Sequence, residues 1–318
     1  MPTIVTLTLS PALDKSTTVA GLVPDHKLRC TAPVIQAGGG GINVSRGLRR
    51  LGSLSVAVFP AGGPTGSHLQ ELLTAEHIAQ TVVPTKMPTR ENFVVTDTTT
   101  QQQYRFGLPS VHLSAAEQHL LLEKLSHFMS PPKFLVVSGS LPPGVPPGFL
   151  AKVVRQARAV GTKVIVDTAG PALRQAVDAG AYLIKPNLHE LSRLAGVAEL
   201  DRAAVAAAAR RLIGRTRCQA VVVSLGAEGA CLITHNSEEH IPAPAVLRRS
   251  TVGAGDSMVA GIVHALAQDR TFAEAARLGV ACGTAATMNP GTELFHCDDA
   301  HELYKQLRHA QPAEYALN

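Results

Sequence analysis

Apolar runs alternate with helix-like periodicity along most of the chain. Near-continuous apolar segments at 3–9, 54–59, 134–138, 163–167, 182–185 and 220–224 predict β-strands. Between them, apolar residues at helical spacing predict helices over 42–51, 66–77, 115–128, 147–160, 171–179, 188–195 and 202–213. A further apolar, helix-like run occupies 258–267. Strands without polar alternation need cover on both faces, and the intervening helices supply it. The pattern predicts an α/β fold built on a parallel sheet between helical layers.

Two stretches break the rhythm. Residues 15–35 and 92–106 are richer in Thr and Gln and alternate polar with apolar positions, the mark of half-exposed antiparallel strands. They are too short to fold alone. They read either as a small sheet projecting from the body, usable as a lid or dimer surface, or as ordinary surface hairpins. The expected organisation is a single domain over 1–318 with lid segments 15–35 and 89–106. The proline-rich piece 141–147 follows a strand, precedes a helix and predicts a rigid turn.

Composition narrows the picture. With 318 residues, 45% of them hydrophobic, the chain can bury a large core, but only 4% are aromatic and none is Trp. That core must rest on Val, Leu, Ile and Ala. The formal charge of +5 is too mild and too scattered for nucleic acid, yet suits an anionic small substrate. Cys30, Cys218, Cys231, Cys282 and Cys297 lack metal-site spacing and predict reduced thiols in a cytoplasmic protein. The first fourteen residues read as strand and turn rather than a signal peptide, and no apolar run approaches a membrane span.

The chemistry concentrates at Ser250-Thr251-Val252-Gly253-Ala254-Gly255-Asp256-Ser257, a glycine turn feeding the apolar run. Such a turn aims several N–H groups at one spot, where the positive end of a helix dipole also lies. Asp256 would repel a phosphate if anion binding were the whole task. It makes sense as a base that takes a proton from a hydroxyl. The amides of Gly253, Ala254 and Gly255 then hold the charge on a transferring phosphoryl group. The segment points to a kinase acting on a small alcohol.

Other positions carry two readings each. The glycine run 38–41 either lets a ligand touch backbone or is a flexible turn, and Asn43 offers a donor and an acceptor to a sugar hydroxyl. Neither G-x-G-x-x-G after a strand nor G-x-x-x-x-G-K-[ST] occurs, which excludes both common nucleotide-binding loops. Asp14 and Ser140 follow strands, where open α/β sheets gather ligands, but each also fits a turn. Lys27, Arg29 and Arg90 lie on or beside the lid stretches and suit a phosphorylated substrate, or are solvated charges. Asn187 and Glu190 share a helix face, either handling hydrated Mg²⁺ or capping the helix. Ser224 and Gly226 end a strand, lining a nucleotide or forming a plain hairpin turn. The thirteen histidines show no catalytic arrangement.

Four motifs occur in order: GGGGINV at 38–44, VVSGSLPPG at 136–144, KPNLHEL at 185–191 and STVGAGDSMVAG at 250–261. Together they resemble the ribokinase-like (PfkB) carbohydrate kinase family over nearly the whole chain, most of all its 6-phosphofructokinase branch. The resemblance implies a three-layer sandwich on a mostly parallel sheet, with a small β-sheet lid that serves as a homodimer contact. It also implies ATP-dependent phosphorylation of fructose 6-phosphate at the 1-hydroxyl, with Asp256 as base. Asp14, Gly39, Asn43, Arg90 and Ser140 match sugar-phosphate positions, with Lys27 and Arg29 reaching from the lid. Lys185, Asn187, Ser224 and Gly226 match nucleotide-side positions, and Glu190 a position near Mg²⁺. A K⁺ site would involve Ser250, Val252, Ala286, Asn289 and Gly291, mostly through carbonyls. Glu293 departs from the basic residue usual in that branch. Gly40, where fructose-1-phosphate kinases tend to carry Lys, favours fructose 6-phosphate over fructose 1-phosphate. Tagatose 6-phosphate is a further candidate acceptor. A non-catalytic sugar-phosphate or ATP sensor is the alternative of another class, and the basic lid residues disfavour a nucleoside kinase.

Overall fold

The computed structural model describes residues 3–128 and 130–309; residues 1 and 2 of the expected N-terminal strand and turn lie outside them. A nine-stranded sheet runs in the order β13 (Glu238–Ile241), β12 (Ala230–Thr234), β11 (Ala220–Ser224), β10 (Leu183–Ile184), β9 (Lys163–Asp167), β8 (Phe134–Ser138), β1 (Ile4–Leu7), β4 (Val56–Ala61), β5 (Ala79–Pro84). From β11 to β5 every neighbouring pair is parallel. β12 and β13 extend the sheet as an antiparallel meander.

Side-chain alternation along the strands divides the core. Phe134 and Val136 of β8 face one side, where α1 (Gly40–Arg50), α8 (Ala254–Ala267), α9 (Phe272–Thr287) and α10 (Cys297–His309) pack. Leu135 and Val137 face the other side, under α3 (Ala115–Ser126), α4 (Gly148–Ala159), α5 (Gly170–Asp178), α6 (Leu188–Ala195) and α7 (Val205–Arg215). α2 (Gly63–Ala75) sends Leu69 and Leu73 into a third cluster with Phe59 of β4. The central strands β1, β8, β9 and β11 are thus apolar on both faces, as the near-continuous runs require.

A second sheet of four strands runs β3 (Val34–Gly38), β2 (Ala12–Val19), β6 (Arg90–Asp97), β7 (Gln103–Gly107). The β2–β3 and β6–β7 pairs are antiparallel, but the central β2–β6 pair is parallel. The wholly antiparallel expectation is corrected there, and residues 20–33 of the first stretch lie outside any strand.

α9 has no counterpart in the periodicity. Nearly every residue from Ala275 to Ala286 is buried, so no polar face marks the helix. β5, β12, β13 and α10 also went unmarked, and α8 begins at Ala254, earlier than the apolar run suggests.

Candidate active site

The carboxyl ends of β8, β9 and β11, and the segment after β10, deliver Ser138, Asp167, Ser224 and Lys185 to one edge of the large sheet. Gly253 sits there in the left-handed region at φ 73 and starts α8 with no side-chain cap. The first N–H groups of this helix, those of Ala254, Gly255 and Asp256, have no acceptor inside the helix itself.

Asp256 occupies this first turn. Its Oδ2 accepts a hydrogen bond from Asn43 Nδ2 at 2.9 Å, and its Oδ1 one from Ser138 Oγ at 3.3 Å. Burial, followed by the nearby Asp167 carboxylate, pushes its pKa up to about 7, against the opposing pull of Asn43, Lys185 and Ser138. A carboxylate of this pKa is half-ionised at neutral pH and can both take and release a proton.

Lys185 is buried, with Nζ 3.2 Å from Asp167 Oδ1. Burial alone would lower its pKa, but Asp167, with Glu190 and Asp256 beyond it, raises it on balance. The group stays an ammonium. Its Nζ lies 3.6 Å from where a Cβ on Gly255 would stand, so a fixed cation borders the glycine turn.

Asn187 and Glu190 form a reciprocal cap on α6: Glu190 N donates to Asn187 Oδ1 and Asn187 N to Glu190 Oε2, both at 2.8 Å. The second Glu190 oxygen has no hydrogen bond among the described residues. Burial, then Asp167, pushes the Glu190 pKa up. The cap thus leaves one oxygen of this half-buried carboxylate unbonded, in the field of Asp167 and Lys185. Among the described residues no group of three or more His, Cys, Asp or Glu side chains could hold a metal ion. The donor set fits Mg²⁺ that keeps most of its waters.

A cleft of about 660 Å³ opens beside the turn, lined by Ser224, Gly226, Ala254, Gly255, Met258 and Gly283 among others. Ser224 joins the Asn187 segment through a single parallel bridge. The stretch 225–229 is the hairpin turn between β11 and β12, and its Gly226 and Gly229 also line the cleft.

The glycine run before α1, which carries Asn43, joins Asp256 to the lid strands. Asp14 of β2 is buried and accepts from Asn92 Nδ2 at 2.8 Å. Burial raises its pKa, with Asn92 and then Arg90 opposing. Arg90 donates through Nη1 to Leu108 O at 3.0 Å and through Nη2 to Ser10 O at 3.4 Å, and its buried Nε has no partner among the described residues. The glycine run fits tightly between these parts. A Cβ on Gly38 would overlap the Asp14 carboxylate. One on Gly40 would overlap Ser138 Oγ and stand 2.7 Å from Gly139 N. Gly39 takes φ 111, a conformation that side chains disfavour.

Not every expected residue joins this arrangement. Ser140 is exposed, and it is Ser138, two positions earlier, that reaches Asp256. Lys27 and Arg29 are exposed and make no hydrogen bond or ion pair among the described residues. Ser250, Ala286 and Asn289 are buried, and Ser250 Oγ donates to Gly291 O at 2.7 Å and accepts from Val252 N at 3.2 Å. Two neutral oxygens at this spacing, from a hydroxyl and a carbonyl, are suitable donors for a hard monovalent cation. Glu293 pairs with His296 at 3.4 Å.

Sequence reasoning missed Ser138, Asp167 and Asn92. Ser138 and Asp167 carried a usable signal: each is the last residue of a correctly placed strand, at the edge where ligands gather. Asn92 carried none, because only the β2–β6 register puts it opposite Asp14.

The pfkB family carbohydrate kinase model matches residues 10–296. ATP-dependent 6-phosphofructokinase isozyme 2 of Escherichia coli (strain K12) is 42% identical over 308 residues, covering 96% of this chain and 99% of that protein. The crystal structure of E. coli phosphofructokinase-2 in complex with potassium superposes with a TM-score of 0.93, covering 97% of this chain and 100% of the other at 42% identity. The same enzyme in complex with fructose-6-phosphate gives a TM-score of 0.91 at 40% identity, with the coverage again 97% and 100%. The chain belongs to the pfkB family of carbohydrate kinases.

Proposed function

We propose that the protein transfers the γ-phosphoryl group of ATP to the 1-hydroxyl of fructose 6-phosphate, giving fructose 1,6-bisphosphate. The single observation carrying this reading is the Asp256 carboxylate, raised to about 7, on the uncapped first turn of α8 and held by Asn43 and Ser138. The named relatives supply the substrate class.

Asp256 takes the proton of the 1-hydroxyl as that oxygen bonds to the γ-phosphorus and the bond to ADP breaks. The N–H groups of Gly253, Ala254, Gly255 and Asp256 face the oxygens on which charge spreads. Lys185 adds a fixed positive charge beside the turn, and Asp167 keeps it protonated and in place. Asp14 and Asn43 orient the sugar. Arg90 receives its phosphate, joined by Lys27 and Arg29 when the lid, or a second copy of it, closes. Gly39 and Gly40 admit the sugar close to backbone. Ser224 and Gly226 line the nucleotide side. Glu190 would hold Mg²⁺ through water, and that ion supplies charge neutralisation on the phosphates. Ser250, Val252, Ala286, Asn289 and Gly291 would hold K⁺ behind the turn.

We further propose one kinase domain whose lid segments, 15–35 and 89–106, form the homodimer contact. Exposed Phe106, at 48%, shares one face of the small sheet with Phe93 and Ile35 and supports a covered lid face. A cytoplasmic location accords with five cysteines that are all unpaired. No helix among the described residues is long and apolar enough to cross a membrane.

The test is ADP release measured with fructose 6-phosphate, tagatose 6-phosphate and fructose 1-phosphate, with and without K⁺. The highest kcat/KM is expected with fructose 6-phosphate. A preference for either other sugar overturns the substrate assignment, and no ADP release with any of them favours the sensor.

A further inference from the structure

β7 is an edge strand of the small sheet, and two of its side chains reach the segment just before the glycine turn. Arg105 Nη2 donates to Thr251 Oγ1 at 2.5 Å, and Ser250 Oγ lies 3.3 Å from Gln103 Oε1. Arg105 Nε and Nη2 each stand 3.4 Å from the same Gln103 oxygen, so the two side chains brace one another. Gln103 Nε2 is buried without a partner among the described residues. A flipped amide would turn its N–H groups onto the guanidinium, which fixes the oxygen toward Ser250. The other end of β7 holds the sugar side. Leu108 N donates to Asn92 Oδ1 at 3.3 Å, and Leu108 O accepts from Arg90 at 3.0 Å.

We propose that Gln103 is a positioning residue that links a monovalent cation at Ser250 and Gly291 to the affinity of the sugar-side site. This rests on the K⁺ reading given above. A hydroxyl has one proton to donate. That of Ser250 goes to Gly291 O at 2.7 Å, so its 3.3 Å contact with Gln103 is the weaker one. A cation held by both oxygens needs their lone pairs, and the Ser250 proton must then leave Gly291. Gln103 Oε1 is the acceptor waiting beside it. The proton's move strengthens the bond from the 250 segment to β7, and β7 in turn steadies Leu108 against Arg90 and Asn92. By reciprocity, sugar phosphate tightens the cation site to the same extent.

The chain lacks Trp, so calorimetry is the direct readout. Fructose 6-phosphate is titrated into the full-length protein in K⁺ and in tetramethylammonium at equal ionic strength, and K⁺ binding is followed separately as a rise in Tm. Wild type should bind the sugar about fivefold more tightly in K⁺. Gln103→Leu should abolish that difference while K⁺ still raises Tm. Gln103→Glu, which keeps an acceptor oxygen, should retain it. No K⁺ effect on wild-type Tm or affinity overturns the cation reading and the linkage together. A K⁺ effect on Tm with the affinity difference intact in Gln103→Leu overturns the linkage alone. Loss of the difference in both variants shows that the acceptor oxygen is not the link.

Discussion

Lys185 Nζ and Asp167 Oδ1 meet at 3.2 Å, largely out of solvent, with side-chain exposures of 7% and 16%. The pair sets the charge around Asp256, since Asp167 raises that carboxyl's pKa and Lys185 lowers it. Removing one partner should therefore be read in the behaviour of Asp256 as well as in stability. Lys185→Met strands the Asp167 carboxylate and should cost about 3 kcal/mol by urea unfolding, the lower range for a broken buried pair. It should also raise the acid limb of the kcat/KM profile, which the Asp256 carboxyl, at about 7, is expected to set. An unmoved limb would show that Lys185 does not tune the base.

Asp256→Asn keeps an acceptor oxygen for Asn43 and turns an amide N–H toward the Ser138 hydroxyl, but loses the base. Turnover should fall about 10²–10⁴-fold in an ADP-release assay. The same substitution has an opposite effect on stability. The carboxyl is raised from 3.8 in the unfolded chain to about 7 in the folded one, so ionisation disfavours the native state as pH rises through that window. Above pH 7 the Asn variant should melt a few degrees higher than wild type, and at about pH 4 the gain should vanish. Melting curves at several pH values check the sign.

Gly40→Ala tests the fit of the glycine run. The new Cβ would press on Ser138 Oγ and on Gly139 N at 2.7 Å, backbone that cannot readily yield. A loss of about 1–3 kcal/mol is expected. Turnover should fall with it, because Ser138 would be displaced from Asp256. Native-like stability would mean that the loop before α1 shifts freely.

Asn92→Ala removes the donor at 2.8 Å from Asp14. The KM for fructose 6-phosphate should rise about tenfold, the scale of one hydrogen bond to a charged group, with kcat changed far less. Burial already raises the Asp14 pKa and Asn92 opposes that rise. Without Asn92 the carboxyl neutralises at higher pH, so the KM defect should deepen as pH falls. Steady-state kinetics across pH would reveal a flat defect if Asp14 makes no charged contact with the sugar.

The sequence by itself determined the parallel sheet, because buried strands and the helices between them leave local marks. The strands at 134–138, 163–167 and 220–224 and the helix at 188–195 fall where their patterns put them. It also determined the glycine turn and its carboxylate, since an uncapped helix start with an acid in its first turn is a local feature. Only the tertiary structure decided which donors surround that acid. Asn43 and Ser138 lie 213 and 118 residues away from Asp256, and no spacing rule connects them. That Ser138 reaches Asp256 depends on its place as the last residue of β8, and the placing of Asn92 against Asp14 on a parallel pairing within the lid. The uniformly buried α9 stayed hidden for the complementary reason: a helix without a wet face has no amphipathic period, and only its neighbours show that it is there.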